Sequence, residues 1–435
     1  MRFEHLFVLS PPFYSHFTPL LTLAKSFQRQ GCKVTVGCSR EFEGAILSAQ
    51  LDYYEIDLSA NKNTGMASDT EQPESEKLRL HAFFEATKVG AVETLMTQSR
   101  HRKEDMLHNP LDLMDKIQAI DKLYAVDLWL VDILSYAATL SLYCLSLPFI
   151  TFCPPHPYTI PVSGATYGVP KNWPLCLNVS AESVEALRQV ASGTQEQFTR
   201  IFNGFIAEHR PGTPMIENAF RLVSEEAIIY NYLDFNAEEI LFTKPLKLYI
   251  GHAFEEEPLS DLWLEKVAGV GQRKILITLG TFLSNRVDVL EKLLQASLAF
   301  DPEALIIVAA GGYAKVLEHY ANTRVSICAF VPQKALMPYM DMVIHHGGCN
   351  TFTETLYFAK PMIILPFSSD QFNIAADAER NHIACTLNPN ALSEGAIRDA
   401  LEKAFQLDHV ILRHWAEWSR QRGSDYAVKQ ILSFT

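Results

Sequence analysis

The sequence predicts an α/β protein built as two successive halves, Rossmann-like domains whose parallel sheets face each other across a cleft. Three observations carry this. Short apolar strand-like runs alternate with amphipathic helical segments from the first residues onward, which is the pattern of βαβ units and a parallel sheet. The alternation lapses over residues 251–272, which contain three consecutive glutamates and no clear strand, and then restarts. At 435 residues the chain exceeds one ordinary core, and length alone predicts two or three domains. The expected boundaries are a first domain over 1–250, a linker over 251–272, a second domain over 273–408, and a helical segment over 409–435 that returns toward the first domain.

In the first half, residues 6–10 form a strand and 11–17 a loop carrying aromatics and His16. Residues 19–30 read as a helix with Leu20, Leu23, Ala24 and Phe27 on one face, ended by Gly31, and 33–38 as the next strand. Residues 59–76 are the most polar stretch and predict a mobile loop. Helical spacing follows over 78–102 and 111–120, then a strand over 128–131 ending at Asp132. Residues 154–174, rich in proline and aromatics, predict a loop; 181–208 predict a helix, and 227–232 and 247–250 strands that close this half.

The second half alternates strand 274–279, helix 287–300, strand 305–309, helix 314–320 and strand 325–330. Two apolar runs follow, 342–345 and 362–367, with a helix beginning near Asn350 between them. A helix over 393–405 and a terminal segment over 409–434, broken near Gly423, complete the chain.

Composition narrows the function classes. With 48% apolar and 20% charged residues, the chain has the balance of a globular protein. A formal net charge of −13 argues against a nucleic-acid partner and against charge-driven membrane binding. The eight cysteines are widely spaced and form no CxxC, which predicts reduced core thiols and a cytoplasmic protein. The N-terminus reads as a first strand and not a signal peptide. Residues 133–152 carry no charge and are long enough to span a bilayer, but Ser135, Tyr136, Ser141, Tyr143, Ser146 and Pro148 interrupt them and no Lys or Arg anchors flank them. Strand–helix–strand within a buried sheet accounts for them better.

The chemistry concentrates in residues 330–371. Gly347 and Gly348 precede a helix, where backbone N–H groups can approach an anion and the helix dipole favours it. An ordinary strand–turn–helix is the plainer reading of the glycines alone. Yet His346, Asn350, Thr351, Glu354, Asp370 and Gln371 all fall on loops and helix starts after strands, where α/β ligands bind. The first βα loop carries no GxGxxG, and the partial match Gly269-Val270-Gly271 lacks a third glycine. There is no Asp-x-Asp, and His345 and His346 fall on opposite faces of a strand, so no metal is expected. No G-x-S-x-G nucleophile is present.

These residues resemble the UDP-glycosyltransferase family, of GT-B fold, in its bacterial macrolide and plant natural-product branches. The second half supplies Phe330-Val331-Pro332-Gln333, then His346-Gly347-Gly348-Cys349-Asn350-Thr351, Glu354, and Pro366 through Asp370-Gln371. The first half supplies Ser15-His16-Phe17-Thr18-Pro19, similar to the family's Gly-His-x-x-Pro element. The resemblance implies that Phe330 stacks on the nucleobase and Val331 bonds it through its backbone. It implies Gln333 and Glu354 at the ribose, His346 and Gly348 at the diphosphate, and Asn350 and Thr351 at the phosphate nearer the ribose. Thr281 would cap the diphosphate from the other side, and Asp370 and Gln371 would read sugar hydroxyls.

For the acceptor, His16 is the expected general base and Asp132 its orienting carboxylate, since imidazole can take a hydroxyl proton near neutral pH. For Asp132, the competing role is an N-cap for the following helix. The acceptor pocket would draw on Phe13, Tyr14, Phe84, Phe152 and Tyr158, with Phe83, His156 and Trp173 as further candidates, a set suited to a hydrophobic or aromatic small molecule. The expected activity is metal-independent, inverting transfer of a hexose such as glucose from a UDP-sugar to a hydroxyl, with the UDP-sugar as substrate and no cofactor. Two other readings stay open: a nucleotide-sugar-binding regulatory protein, and a sugar-nucleotide epimerase of the same fold.

Overall fold

The structure is a computed structural model that describes residues 4–64, 74–105, 107–235, 245–268 and 272–434. Residues 65–73 of the polar stretch and the Gly269–Gly271 match lie outside the described residues, as does the side chain of Thr281.

Each half is a parallel sheet between helical layers. The first has seven strands: β1 (His5–Leu9), β2 (Lys33–Cys38), β3 (Asp52–Glu55), β4 (Leu128–Asp132), β5 (Phe149–Cys153), β6 (Ala227–Tyr230) and β7 (Leu246–Tyr249). Their order across the sheet is β3-β2-β1-β4-β5-β6-β7. The second has six: β8 (Lys274–Thr278), β9 (Leu305–Ala309), β10 (Val325–Cys328), β11 (Met342–His345), β12 (Met362–Ile364) and β13 (Ala384–Thr386), ordered β10-β9-β8-β11-β12-β13. This is the GT-B architecture. In both sheets the order reverses beside the first strand, so β1 lies between β2 and β4 and β8 lies between β9 and β11. Loops leaving the strand ends diverge at such a point and open a crevice. β1, β4 and β11 are buried throughout, as expected of apolar strands covered on both faces.

Four features depart from the sequence reading. The first helix spans Tyr14–Arg29 and encloses Pro19, so His16 lies in its first turn and not in a loop. The helix expected over 78–102 is two, Glu74–Val89 and Ala91–Asp105, because Gly90 adopts φ 151° and breaks the hydrogen-bond ladder. The edge strands β3 and β13 have four and three residues and alternate too little to announce themselves. The linker holds a short helix, Asp261–Val267.

The segment 133–152 resolves into helix Tyr136–Leu145 and β5. Among the described residues no helix is long and apolar enough to cross a membrane. The terminal segment splits into helices His409–Arg420 and Gly423–Phe434, with Gly423 at φ 82° under the His252 ring. The last helix places Ala427, Val428 and Ile431 in the core of the first sheet, beside Leu20, Leu23 and Ala24. Arg29 pairs with Asp425 at 2.7 Å across the same contact.

Candidate active site

A cleft of about 770 Å³ runs between the two halves. On the first-half side, Phe13 keeps an extended backbone (φ −118°, ψ 117°) and its carbonyl accepts from Phe17 N–H, so the helix starts at Tyr14 directly after β1. This brings His16 to the cleft. Its Nδ1 lies 2.9 Å from Oδ2 and 3.1 Å from Oδ1 of Asp132, the last residue of the adjacent strand β4. Asp132 is wholly buried, whereas 13% of the His16 side chain is exposed. Asp132 Oδ1 also accepts from Leu134 N–H at 2.8 Å, while the N-cap of helix Tyr136–Leu145 is Ser135. The carboxylate therefore holds the turn after β4 and the imidazole together. A carboxylate accepts only, so Nδ1 carries the hydrogen and Nε2 of the neutral ring is left as a base.

On the other side, β11 alternates its last histidine with the loop that follows. His345 points into the core: its Nδ1 accepts from Gly347 N–H at 3.1 Å, its Nε2 meets Met362 Sδ at 3.5 Å, and burial pushes its pKa down to about 3. His346 lies in the cleft wall, packed between two glycines. A Cβ on Gly280 would stand 2.6 Å from its ring, and one on Gly348 2.5 Å. Burial lowers its pKa to about 4, so at neutral pH it is an uncharged hydrogen-bonding ring. Gly347, at φ 86°, turns the chain into helix Cys349–Tyr357, whose N-terminus opens on the same space. Thr281 belongs to the four-residue helix Gly280–Leu283 across from it.

The residues expected from the sequence at a nucleoside end lie together along the cleft. Phe330 is 67% exposed at the cleft edge. The Val331 carbonyl accepts from Gln333 N–H at 2.8 Å. Gln333 Nε2 reaches Glu354 Oε2 at 2.6 Å and Thr351 Oγ1 at 3.2 Å, tying the loop after β10 to the helix after β11. Burial raises the Glu354 carboxyl to about 7, with the Gln333 bond opposing.

The sugar end is more constrained than the sequence suggests. Asp370 Oδ2 accepts the backbone N–H of His156, from the first half, at 2.9 Å, and burial raises its pKa. His156 is itself pinned: its Nδ1 accepts from Tyr158 N–H at 3.0 Å and its Nε2 contacts Asp377 Oδ2 at 2.9 Å. Gln371 spends its carbonyl oxygen on Phe367 and Ser368 N–H (2.9 and 3.1 Å) and donates from Nε2 to Ser368 Oγ at 3.3 Å, so one N–H of Nε2 is left toward a ligand. Asn350 directs its amide to the first half, meeting the Ser15 carbonyl and Asn231.

The acceptor set needs correction. Phe13 and Tyr14 line the cleft, and so does Phe83. Phe152 does not: β5 turns its ring into the core with Leu130, Ile150 and Ile229. Phe84 lies outside the cleft lining, with Phe83 taking that place on the helix. Tyr158 bonds Lys171 Nζ at 2.7 Å in a loop away from the cleft. His156 is buried against Asp377, and Trp173 packs on Phe372. Beyond Phe83 and Phe84, the sequence reading did not include the wall made by the two helices around Gly90, which contributes Glu76, Arg79, Leu80, Gln98 and Arg102. The Gly90 break is the signal that could have found it. The first of these helices docks on the second half: Phe83 packs on that core, and the Thr87 carbonyl accepts from Arg286 Nη1 and Asn390 Nδ2, each at 2.9 Å. Among the described residues no three His, Cys, Asp or Glu side chains converge as a metal site.

Comparison with known proteins points to glycosyltransferases of this fold. Residues 220–409 match the family model "UDP-glucoronosyl and UDP-glucosyl transferase". A zeaxanthin glucosyltransferase of Pantoea ananas is 23% identical over 386 residues, 86% of this chain and 82% of that protein. An uncharacterized UDP-glucosyltransferase of Bacillus subtilis is also 23% identical, but the match spans only 34% of this chain and 35% of the relative. The crystal structure of the kitacinnamycin glycotransferase superposes with a TM-score of 0.68 at 17% identity, covering 100% of both chains. The glycosyltransferase VinC in complex with dTDP superposes at 0.63 with 15% identity, over 99% of each.

Proposed function

We propose, from the match of residues 220–409 to the UDP-glucosyl transferase family model and from the fold, that the chain is a glycosyltransferase that transfers a hexose, glucose foremost, from a UDP-sugar to a hydroxyl of a lipophilic or aromatic small molecule. The transfer proceeds with inversion and without a metal ion. The observation that carries this reading is the His16–Asp132 pair facing the donor loops across one cleft.

In this reaction His16 Nε2 takes the acceptor hydroxyl proton as the oxygen forms a bond to the anomeric carbon. The bond from that carbon to the diphosphate oxygen breaks, and the electron pair leaves with UDP. Asp132 stabilises the imidazolium that forms. The departing charge meets the N-terminus of helix Cys349–Tyr357 and the His346 ring, fixed dipoles of the kind that supply most of such stabilisation. Glu354 and Gln333 hold the ribose, and Asp370 takes sugar hydroxyls with the oxygen that His156 leaves to it. Attack opposite the leaving group inverts the anomeric centre, and no enzyme nucleophile is required. A cytoplasmic setting belongs to the same proposal, supported by eight free cysteines.

The test is incubation with UDP-, dTDP- and GDP-sugars and a panel of apolar hydroxylated acceptors, read by mass spectrometry and by NMR of the anomeric centre. The expected result is a glycoside of opposite anomeric configuration to the donor, formed from a UDP-sugar. Donor binding with no product across the panel would overturn the reading in favour of a binding protein. An altered sugar nucleotide formed from donor alone would favour an epimerase.

A further inference from the structure

Pro19 lies inside the helix that carries His16. Proline has no N–H, so it cannot bond the carbonyl four residues before it, which is that of Ser15. A helix interior normally leaves no carbonyl orphaned. Here the partner comes from the other half of the molecule: Asn350 Nδ2 donates to Ser15 O at 2.8 Å. Because a carbonyl only accepts, the Asn350 amide has one allowed orientation, with Nδ2 on Ser15 and Oδ1 turned away. That oxygen accepts from Asn231 Nδ2 at 3.1 Å. Asn231 is in turn fixed by its backbone, its N–H on Cys153 O at 3.1 Å and its carbonyl receiving Cys349 Sγ–H at 3.2 Å. The Pro19 gap, the Ser15 carbonyl and two asparagines thus form one chain of directed hydrogen bonds. It joins the first turn of the His16 helix to the first turn of helix Cys349–Tyr357.

We propose that Asn350 is a positioning residue for His16. Ser15 adjoins His16, so the bond sets the base against the donor loops and does so only when the halves are together. The role differs from a phosphate contact, because the amide oxygen and one of the two amide N–H groups are committed to the first half. The proposal rests on the glycosyl-transfer reading in that His16 is taken as the base.

The experiment is a double-mutant cycle of Asn350→Ala and Pro19→Ala in the full chain. Steady-state transfer, UDP binding by calorimetry and thermal stability are measured for each variant. Asn350→Ala should lower kcat about 10-fold to 100-fold, the scale expected of a misplaced catalytic group, and change UDP affinity less than about threefold. Pro19→Ala restores a helical N–H to the Ser15 carbonyl, so Asn350→Ala should cost markedly less in that background. Asn231→Ala, which frees the Asn350 amide to rotate, should show the same split of kcat from UDP affinity with a smaller loss. A fall in UDP affinity matching the fall in kcat would overturn the proposal and make Asn350 a phosphate ligand. Equal cost of Asn350→Ala in both backgrounds would also overturn it. If the unaltered chain transfers no sugar, the functional reading fails, while coupling in thermal stability between Pro19 and Asn350 still reads the bond by itself.

Discussion

The two walls of the cleft are built by different means. On the second-half side, strand ends and helix starts supply the groups: His346 after β11, Gln333 after β10, Asp370 after β12. Glycines at 280 and 348 bring backbone and one imidazole within a Cβ's width of each other, and Gly347 lies comparably close to Ile364. On the first-half side, His16 follows a strand and Asp132 ends one, but much of the wall consists of side chains on helices, among them Tyr14 and Thr18 of the His16 helix and Arg79, Phe83 and Arg102 of helices Glu74–Val89 and Ala91–Asp105. One wall is a rigid cradle suited to a constant ligand, and the other is a set of replaceable side chains. Under the proposed function, the contrast assigns donor recognition to close backbone approach and acceptor recognition to the replaceable side chains of the first-half wall.

Substitutions can break or sharpen this contrast. The largest effect is expected at the base. His16→Ala should lower kcat by about 10³-fold, within the range for a general base, with UDP affinity unchanged; undiminished turnover would remove His16 from the mechanism. Asp132→Asn should approach the same loss by favouring the wrong tautomer.

The next effect is on stability. Ile431→Ala empties a fully buried site in the first core and should cost about 2–5 kcal/mol, as large-to-small core changes do. Denaturant unfolding checks this, and a cost below ~1 kcal/mol would mean that the last helix is not part of that core.

Gly348→Ala places a methyl 2.5 Å from the His346 ring. It should weaken UDP-sugar binding and turnover about tenfold or more, as loss of a fixed polar group does. Arg79→Ala on the opposite wall should leave UDP affinity alone and change only which acceptors are used. Equal damage to donor binding by both would erase the distinction between the walls.

The smallest effect is a pH dependence. Burial holds the Glu354 carboxyl near 7. A carboxyl raised this way is protonated below that value, and only the ionised form accepts two ribose hydroxyls. Affinity for a UDP-sugar, whose diphosphate diester does not titrate there, should therefore rise severalfold between pH 6 and pH 8. Glu354→Gln should flatten the curve. Burial also makes a folding prediction, with the same direction in pH, for the histidines. His345 and His346, lowered to about 3 and about 4, cannot take the proton that the unfolded chain accepts near 6.5, so their contribution to stability is lost as the pH falls through that range.

Much of the second half was legible in the sequence because its groups lie within one stretch of chain. Strand–turn–helix spacing carries each of them to the same crevice, and β11 and helix 287–300 fall where apolar periodicity puts them. What spacing could not show is how an amide is used once the halves meet. The Asn350 amide and the Gln371 carbonyl are consumed by protein partners, and nothing local announces that. In the first half, His16 and Asp132 come together because the strand before His16 and the strand that Asp132 ends are neighbours. Of the aromatics named for the acceptor, Phe13, Tyr14 and Phe83 line the cleft while Phe84, Phe152 and Tyr158 do not, because aromatic content does not distinguish a core ring such as Phe152 from a cleft ring such as Phe83. The helix start at Tyr14 was hidden by Pro19, which reads as a boundary and is tolerated inside only because another element satisfies Ser15.

The helix Glu74–Val89 precedes β4 in sequence yet rests on the second half. Its Thr87 carbonyl is one of the last, unpaired carbonyls of a helix, and Arg286, almost fully buried and paired bidentately with Asp288, takes it up together with Asn390. The two halves are therefore not interchangeable cassettes. A chimera that keeps residues 1–250 and imports a foreign nucleotide-binding half would lose the seat on which this helix rests. Such a graft would be expected to alter the choice of acceptor even though every residue of the first half was retained.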